Sequence, residues 1–66
     1  MIEVALNGER VSSSAQNIAE FVLERSLPQV GMAVAVNGSV VPKSEWSMTA
    51  LCSNDRIEIV TAAAGG

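Results

Sequence analysis

Two residues without side chains, Gly65 and Gly66, close a sequence whose last five positions, Ala62-Ala63-Ala64-Gly65-Gly66, carry no charged side chain. The chemistry available there is that of a carboxylate. An enzyme that activates a terminal carboxylate with ATP must draw the tail through a narrow slot to the α-phosphate. Glycine lacks Cβ, reaches backbone angles closed to other residues, and leaves its carbonyl carbon open to a nucleophile. Gly66 is the candidate reactive residue, with Gly65 and Ala64 the candidates for recognition by the slot. Two successive glycines arise by chance in roughly one terminus in 200, and termini also fray without function. The pair therefore needs support from the rest of the chain.

Other chemistries find little material. The 66 residues contain no histidine and one cysteine, so no Ser-His or Cys-His pair, usual zinc site or internal disulfide can be assembled. Glu3, Glu9, Glu20, Glu24, Glu45, Asp55 and Glu58 are scattered over surface-type positions and read as solvated charge. Cys52, beside Leu51, reads as a small buried hydrophobe. The expectation is a protein with no catalytic residues, no metal and no bound cofactor. A net charge of −3, with Arg10, Arg25, Lys43 and Arg56 as the only cations, gives no basic stripe for nucleic acid. The start Met1-Ile2-Glu3-Val4 lacks the pattern of a secretory signal, and the run from Val30 to Val36 is too short to span a membrane. A soluble, cytoplasmic protein is expected, as one domain over residues 1–66 with a tail over 62–66.

The elements that must carry the tail follow from periodicity. Ile2, Val4 and Leu6 alternate with Glu3 and Ala5, which predicts a half-buried strand. Asn7-Gly8 then predicts a tight hairpin returning over Glu9 to Ser13 with Val11 inward. Asn17, three residues before Glu20, predicts a capped helix with Ile18, Phe21, Val22 and Arg25 on one side, Leu23 and Leu27 flanking, and Glu20 and Glu24 outward. Pro28 is expected to end it. Met32, Val34 and Val36 predict a further strand, closed by Asn37-Gly38 and a short return over Ser39 to Val41. Pro42 stops that return. A single turn over Lys43 to Trp46 anchors Trp46 in the core, Ser53-Asn54-Asp55 turns the chain, and Ile57 and Ile59 face inward on a last strand.

The helix between strands implies a right-handed crossover within one sheet. One helix covers one face only. The other face carries Ala5, Ala33, Ala35 and Val60 among charges, and Ala33, Ala35 and Val60 are the candidate docking residues. The last strand runs directly into the tail.

Taken in order, Ala33-Val34-Ala35-Val36-Asn37-Gly38, Val41-Pro42-Lys43 with Trp46, Asp55-Arg56-Ile57-Glu58-Ile59 and Ala64-Gly65-Gly66 resemble the sulfur carrier proteins of thiamine thiazole biosynthesis over nearly the whole chain. The resemblance implies an α+β, ubiquitin-like β-grasp fold: a mixed sheet of four to five strands, one helix across one face, and a flexible C-terminal tail. It also implies an adenylyltransferase of the ThiF type, related to ubiquitin-activating enzymes, that uses Mg-ATP to adenylate Gly66. Sulfur from a donor system then displaces AMP to leave a thiocarboxylate, which is delivered to a thiazole synthase of the ThiG type. Two positions depart from the family pattern. Asn54 stands where glycine is usual, and Lys43 where arginine is frequent, weakening any bidentate contact there.

Other readings stay open. The small subunit of molybdopterin synthase shares the fold and the thiocarboxylate but passes sulfur to a pterin; its proline before Ala-Gly-Gly is absent here, where Thr61-Ala62-Ala63 precedes it. A ubiquitin-like modifier joined to lysines is a further alternative. A non-reactive interaction domain, to which Gly66 is incidental, belongs to a different class altogether.

Overall fold

A computed structural model of the protein describes residues 1–28 and 30–61. Its frame is set by two hairpins of the same chemistry. Strand β1 (Ile2–Leu6) turns at Asn7-Gly8 into β2 (Glu9–Ser13), and β3 (Met32–Val36) turns at Asn37-Gly38 into β4 (Ser39–Val41). The two-residue loops have positive φ at both positions, 51° and 86° in the first and 53° and 88° in the second. Such turns match the right-handed twist of the flanking strands, and asparagine followed by glycine is the pair that tolerates them.

Strand β5 (Arg56–Thr61) lies in the middle of a five-stranded sheet of order β2-β1-β5-β3-β4. It pairs parallel with β1 and antiparallel with β3, and both hairpins are antiparallel. It follows that β2 and β3 run the same way. The connection between them carries helix α1 (Ile18–Glu24) across one face of the sheet. This is the mixed sheet and single covering helix of the β-grasp fold.

The core lies between that helix and the inward residues of the strands. Val4, Val34 and Ile57 meet Ile18, Phe21 and Val22, with Ala15, Trp46 and Leu51 closing the rim. Trp46 is buried as expected, and its indole N–H donates to the Val41 carbonyl at 3.0 Å, so its one polar group is satisfied. A 3₁₀ helix over Lys43–Met48 is longer than the single turn expected. The segment after it crosses the start of α1, where the Thr49 carbonyl accepts from the Ile18 N–H and the Leu51 N–H donates to the Gln16 carbonyl.

Several expectations are corrected. The helix ends at Glu24, ahead of Pro28, because Ser26 takes a left-handed φ of 55°. The Ser26 N–H then bonds the Leu23 carbonyl and the Leu27 N–H bonds the Val22 carbonyl, which closes the last turn as a Schellman motif. Arg25 is the C-cap residue, exposed on the surface over the Phe21 ring, and Leu23 is 65% exposed. Glu20 and Glu24 are exposed as expected, Glu20 in the capping arrangement that Asn17 predicts, but both also make hydrogen bonds. Asn17 accepts from the Glu20 N–H at 2.8 Å, while Glu20 reaches back to the Gln16 N–H at 2.9 Å. Glu24 accepts from both hydroxyls of Ser13 and Ser14, at 2.7 and 2.8 Å, and from the Ser14 N–H at 2.9 Å. Cys52 is exposed, not buried, because it opens the turn that closes on Asp55.

Candidate functional site: the last strand and the uncovered sheet face

Alternation along β5 decides what each side presents. Ile57 and Ile59 point to the helix, so Arg56, Glu58 and Val60 stand on the uncovered face. The register aligns Val60 with Ala33 and Glu58 with Ala35 on β3, and Ala35 with Val40 on β4. Ala33, Ala35 and Val60 are therefore neighbours. Val40, which the sequence reading missed, completes the patch: Val40 and Val60 are 72% and 66% exposed. These four residues line a shallow groove bordered by Asn7 and Glu58.

Ala5 occupies the same face but stands between Arg10 and Arg56 in the register. The β1–β2 half of the face is charged, with an exposed Arg10–Glu3 ion pair at 2.7 Å that contributes about 0–1 kcal/mol. The uncovered face is thus divided, apolar over β3, β4 and the end of β5, and charged over β1 and β2.

The start of β5 is held by polar contacts from three turns. The turn before it opens at Cys52, whose N–H donates to the Asp55 carboxylate at 2.8 Å, and Asn54 supplies the left-handed residue, with φ of 72°. Asparagine is among the few residues other than glycine that adopt this geometry readily. At Asn37 the backbone N–H donates to the Arg56 carbonyl at 2.7 Å and the side-chain oxygen accepts from the Arg56 N–H at 2.9 Å. The carboxamide supplies the acceptor that the turned main chain cannot. Its nitrogen donates to Asp55 at 3.0 Å. Asn7 performs a similar exchange further along, on Ile59.

The expected reactive residue Gly66 and the recognition residues Gly65 and Ala64 lie outside the described residues. What the structure supplies is the mount. Thr61, the last residue of β5, pairs with Met32 at the start of β3 and is the root from which the tail departs. Among the described residues no group of three or more His, Cys, Asp or Glu side chains could hold a metal ion, and no helix is long and apolar enough to cross a membrane.

The sequence profile of the ThiS family matches residues 2–66. No curated protein sequence matches the chain. Among solved structures, the thiamine biosynthesis protein ThiS from Geobacter metallireducens superposes with a TM-score of 0.84 at 20% sequence identity, covering 98% of this chain and 100% of that one. At that identity the likeness establishes the fold.

Proposed function

We propose, from the premise that the chain belongs to the ThiS family of sulfur carriers of thiamine biosynthesis, that Gly66 is the atom-bearing end of the carrier and that the apolar half of the uncovered face docks its partners. The protein acts as a cosubstrate. A carboxylate oxygen of Gly66 attacks the α-phosphorus of Mg-ATP on an adenylyltransferase of the ThiF type, and pyrophosphate leaves. A sulfur donor at the oxidation level of hydrosulfide then attacks the acyl carbon, AMP departs with the oxygen, and a thiocarboxylate remains. A thiazole synthase of the ThiG type receives the sulfur, and the carrier returns to the carboxylate. ATP and magnesium belong to the activating partner.

The family match through Gly66 carries this reading. The sheet geometry supports it. β5 is central in the sheet, joined to β1 at its start and to β3 along its length, so its end at Thr61, paired with Met32, is the root for an uncharged tail. The apolar residues Ala33, Ala35, Val40 and Val60 adjoin that root, which lets one partner grip the sheet and receive the tail together.

The test is exchange of radiolabelled pyrophosphate into ATP by a ThiF-type adenylyltransferase. Exchange that depends on this chain, and is lost when Gly66 is deleted, is the expected result. Exchange that is indifferent to the deletion overturns the assignment. Transfer of sulfur to thiazole synthase and not to the large subunit of molybdopterin synthase separates the thiazole from the pterin branch.

A further inference from the structure

Strand β1 is shorter than the strand it supports. Its parallel register with β5 ends at Leu6 opposite Ile57, where the chain turns away into the first hairpin. Beyond Ile57, on the side facing β1, no strand among the described residues flanks β5. The Asn7 N–H still donates to the Ile57 carbonyl at 2.8 Å. One step further, the Asn7 side chain takes over: its Oδ1 accepts from the Ile59 N–H at 2.8 Å and its Nδ2 donates to the Ile59 carbonyl at 3.3 Å. A carboxamide has the donor and acceptor groups of a peptide unit. Placed here, it stands in for the next peptide unit of β1 and continues the ladder by one rung towards Thr61.

We infer that Asn7 is a positioning residue for the charging reaction, holding Ile59 on the side of β5 away from β3, where no strand does, and with it the end of the strand at Thr61. The inference rests on the reading of Gly66 as the charged end. A tail rooted two residues after Ile59 inherits any freedom of that residue, and small misplacements of a reacting end cost rate steeply. Asn7 borders the docking groove, but its side-chain polar groups are committed to Ile59 and the apolar surface is supplied by Ala33, Ala35, Val40 and Val60, so losing the carboxamide lowers turnover more than association.

The molecule contains its own control. Asn37 occupies an equivalent hairpin, with φ of 53° against 51° for Asn7, and its side chain also clamps β5. It holds Arg56, at the opposite end of β5 from the tail. Glycine tolerates both turns, so Asn7→Gly and Asn37→Gly each delete a carboxamide while keeping the hairpin. Both lower stability, Asn37→Gly by at least as much, since it also loses the bond to the Asp55 carboxylate.

The experiment measures steady-state adenylation of the full chain with its adenylyltransferase, together with amide hydrogen exchange. Asn7→Gly is expected to lower kcat about tenfold with KM within about twofold, and to reduce protection of the Ile59 amide at least about tenfold. Asn37→Gly is expected to keep wild-type kcat and Ile59 protection. Equal kcat for the two variants, or unchanged Ile59 protection in Asn7→Gly, overturns the inference. If Asn7→Gly fails to fold, Asn7→Asp answers the same question, since it retains the acceptor for Ile59 N–H and removes the donor to its carbonyl; it must then turn over more slowly than Asn37→Gly. Failure of the wild-type chain to be adenylated at all counts against the carrier reading itself, and the Ile59 exchange still decides whether the clamp exists.

Discussion

At Asn54 a single side chain decides whether the turn before β5 forms without strain. A residue with Cβ costs about 1–2 kcal/mol in the left-handed region, and asparagine recovers part of that through local hydrogen bonding. With φ of 72° at this position, Asn54→Gly is expected to leave stability unchanged or raise it by up to about 1 kcal/mol, while Asn54→Val lowers it by about 1–2 kcal/mol. Urea denaturation of the two variants measures this, and an Asn54→Val variant as stable as the parent refutes it. Residue-level chemistry was only partly legible beforehand. The period of Ile57 and Ile59 reveals which way β5 faces, and Asn-Gly reveals both hairpins. The partners of Asn7 and Asn37 lie 52 and 19 residues away. Nothing local in sequence announces them. Cys52 was misread because adjacency to Leu51 suggests burial, whereas the turn to Asp55 requires its backbone at the surface.

The elements show the same division between local and long-range causes. Helix α1 starts where its cap predicts, since Asn17 and Glu20 bond over one turn. Its end depends on Ser26 adopting φ of 55°, a preference weak enough in serine that Pro28 is the more visible stop signal. Ser26→Gly removes that strain and is expected to stabilise the protein by about 0.5–1 kcal/mol. In a domain this small, 1 kcal/mol shifts Tm by about 4–8 °C, so calorimetry reads a rise of a few degrees; a fall contradicts the assigned geometry. Glu24 ties the end of α1 to the end of β2. The Ser13 hydroxyl, followed by the Ser14 N–H and hydroxyl, holds its carboxyl below the ordinary value of 4.5 against a small opposing effect of burial, with Arg25 adding a minor contribution. A carboxyl lowered on folding stabilises the native state above its unfolded pKa, and that stabilisation is lost as pH falls through the folded value. Glu24→Gln is therefore expected to be less stable than the parent at neutral pH and to converge on it as pH falls below the lowered folded value. A stability gap independent of pH contradicts the role of the charge. Val40 escaped the sequence reading for a related reason: Ser39-Val40-Val41 has no period-2 alternation, and only the pairing with Ala35 tells which valine faces out.

On the scale of the whole molecule, the two faces of the sheet differ: one buries the core under α1, and the other is left uncovered. Phe21 is fully buried at the centre of the covered face. Phe21→Ala is expected to cost about 3–5 kcal/mol, comparable to much of the stability of a domain of this size, and a cooperative native-like transition in that variant contradicts the packing described. The docking proposal makes the opposite forecast. Val60→Ser combined with Val40→Ser is expected to keep Tm within a few degrees of the parent while weakening association with the adenylyltransferase about tenfold, measured by calorimetric titration; unchanged affinity places the docking surface elsewhere. The architecture was legible because most strands alternate and each turn has its own residue signature, and the β-grasp arrangement of the sheet followed from the resemblance. The fate of Gly66 is the claim on which the functional reading stands. Mass spectrometry of the full chain after incubation with adenylyltransferase, Mg-ATP and a sulfur donor tests it directly. Replacement of one oxygen by sulfur, mapped to Gly66 and absent when that residue is deleted, is the expected result; an unchanged mass under conditions that charge a known carrier contradicts the carrier role.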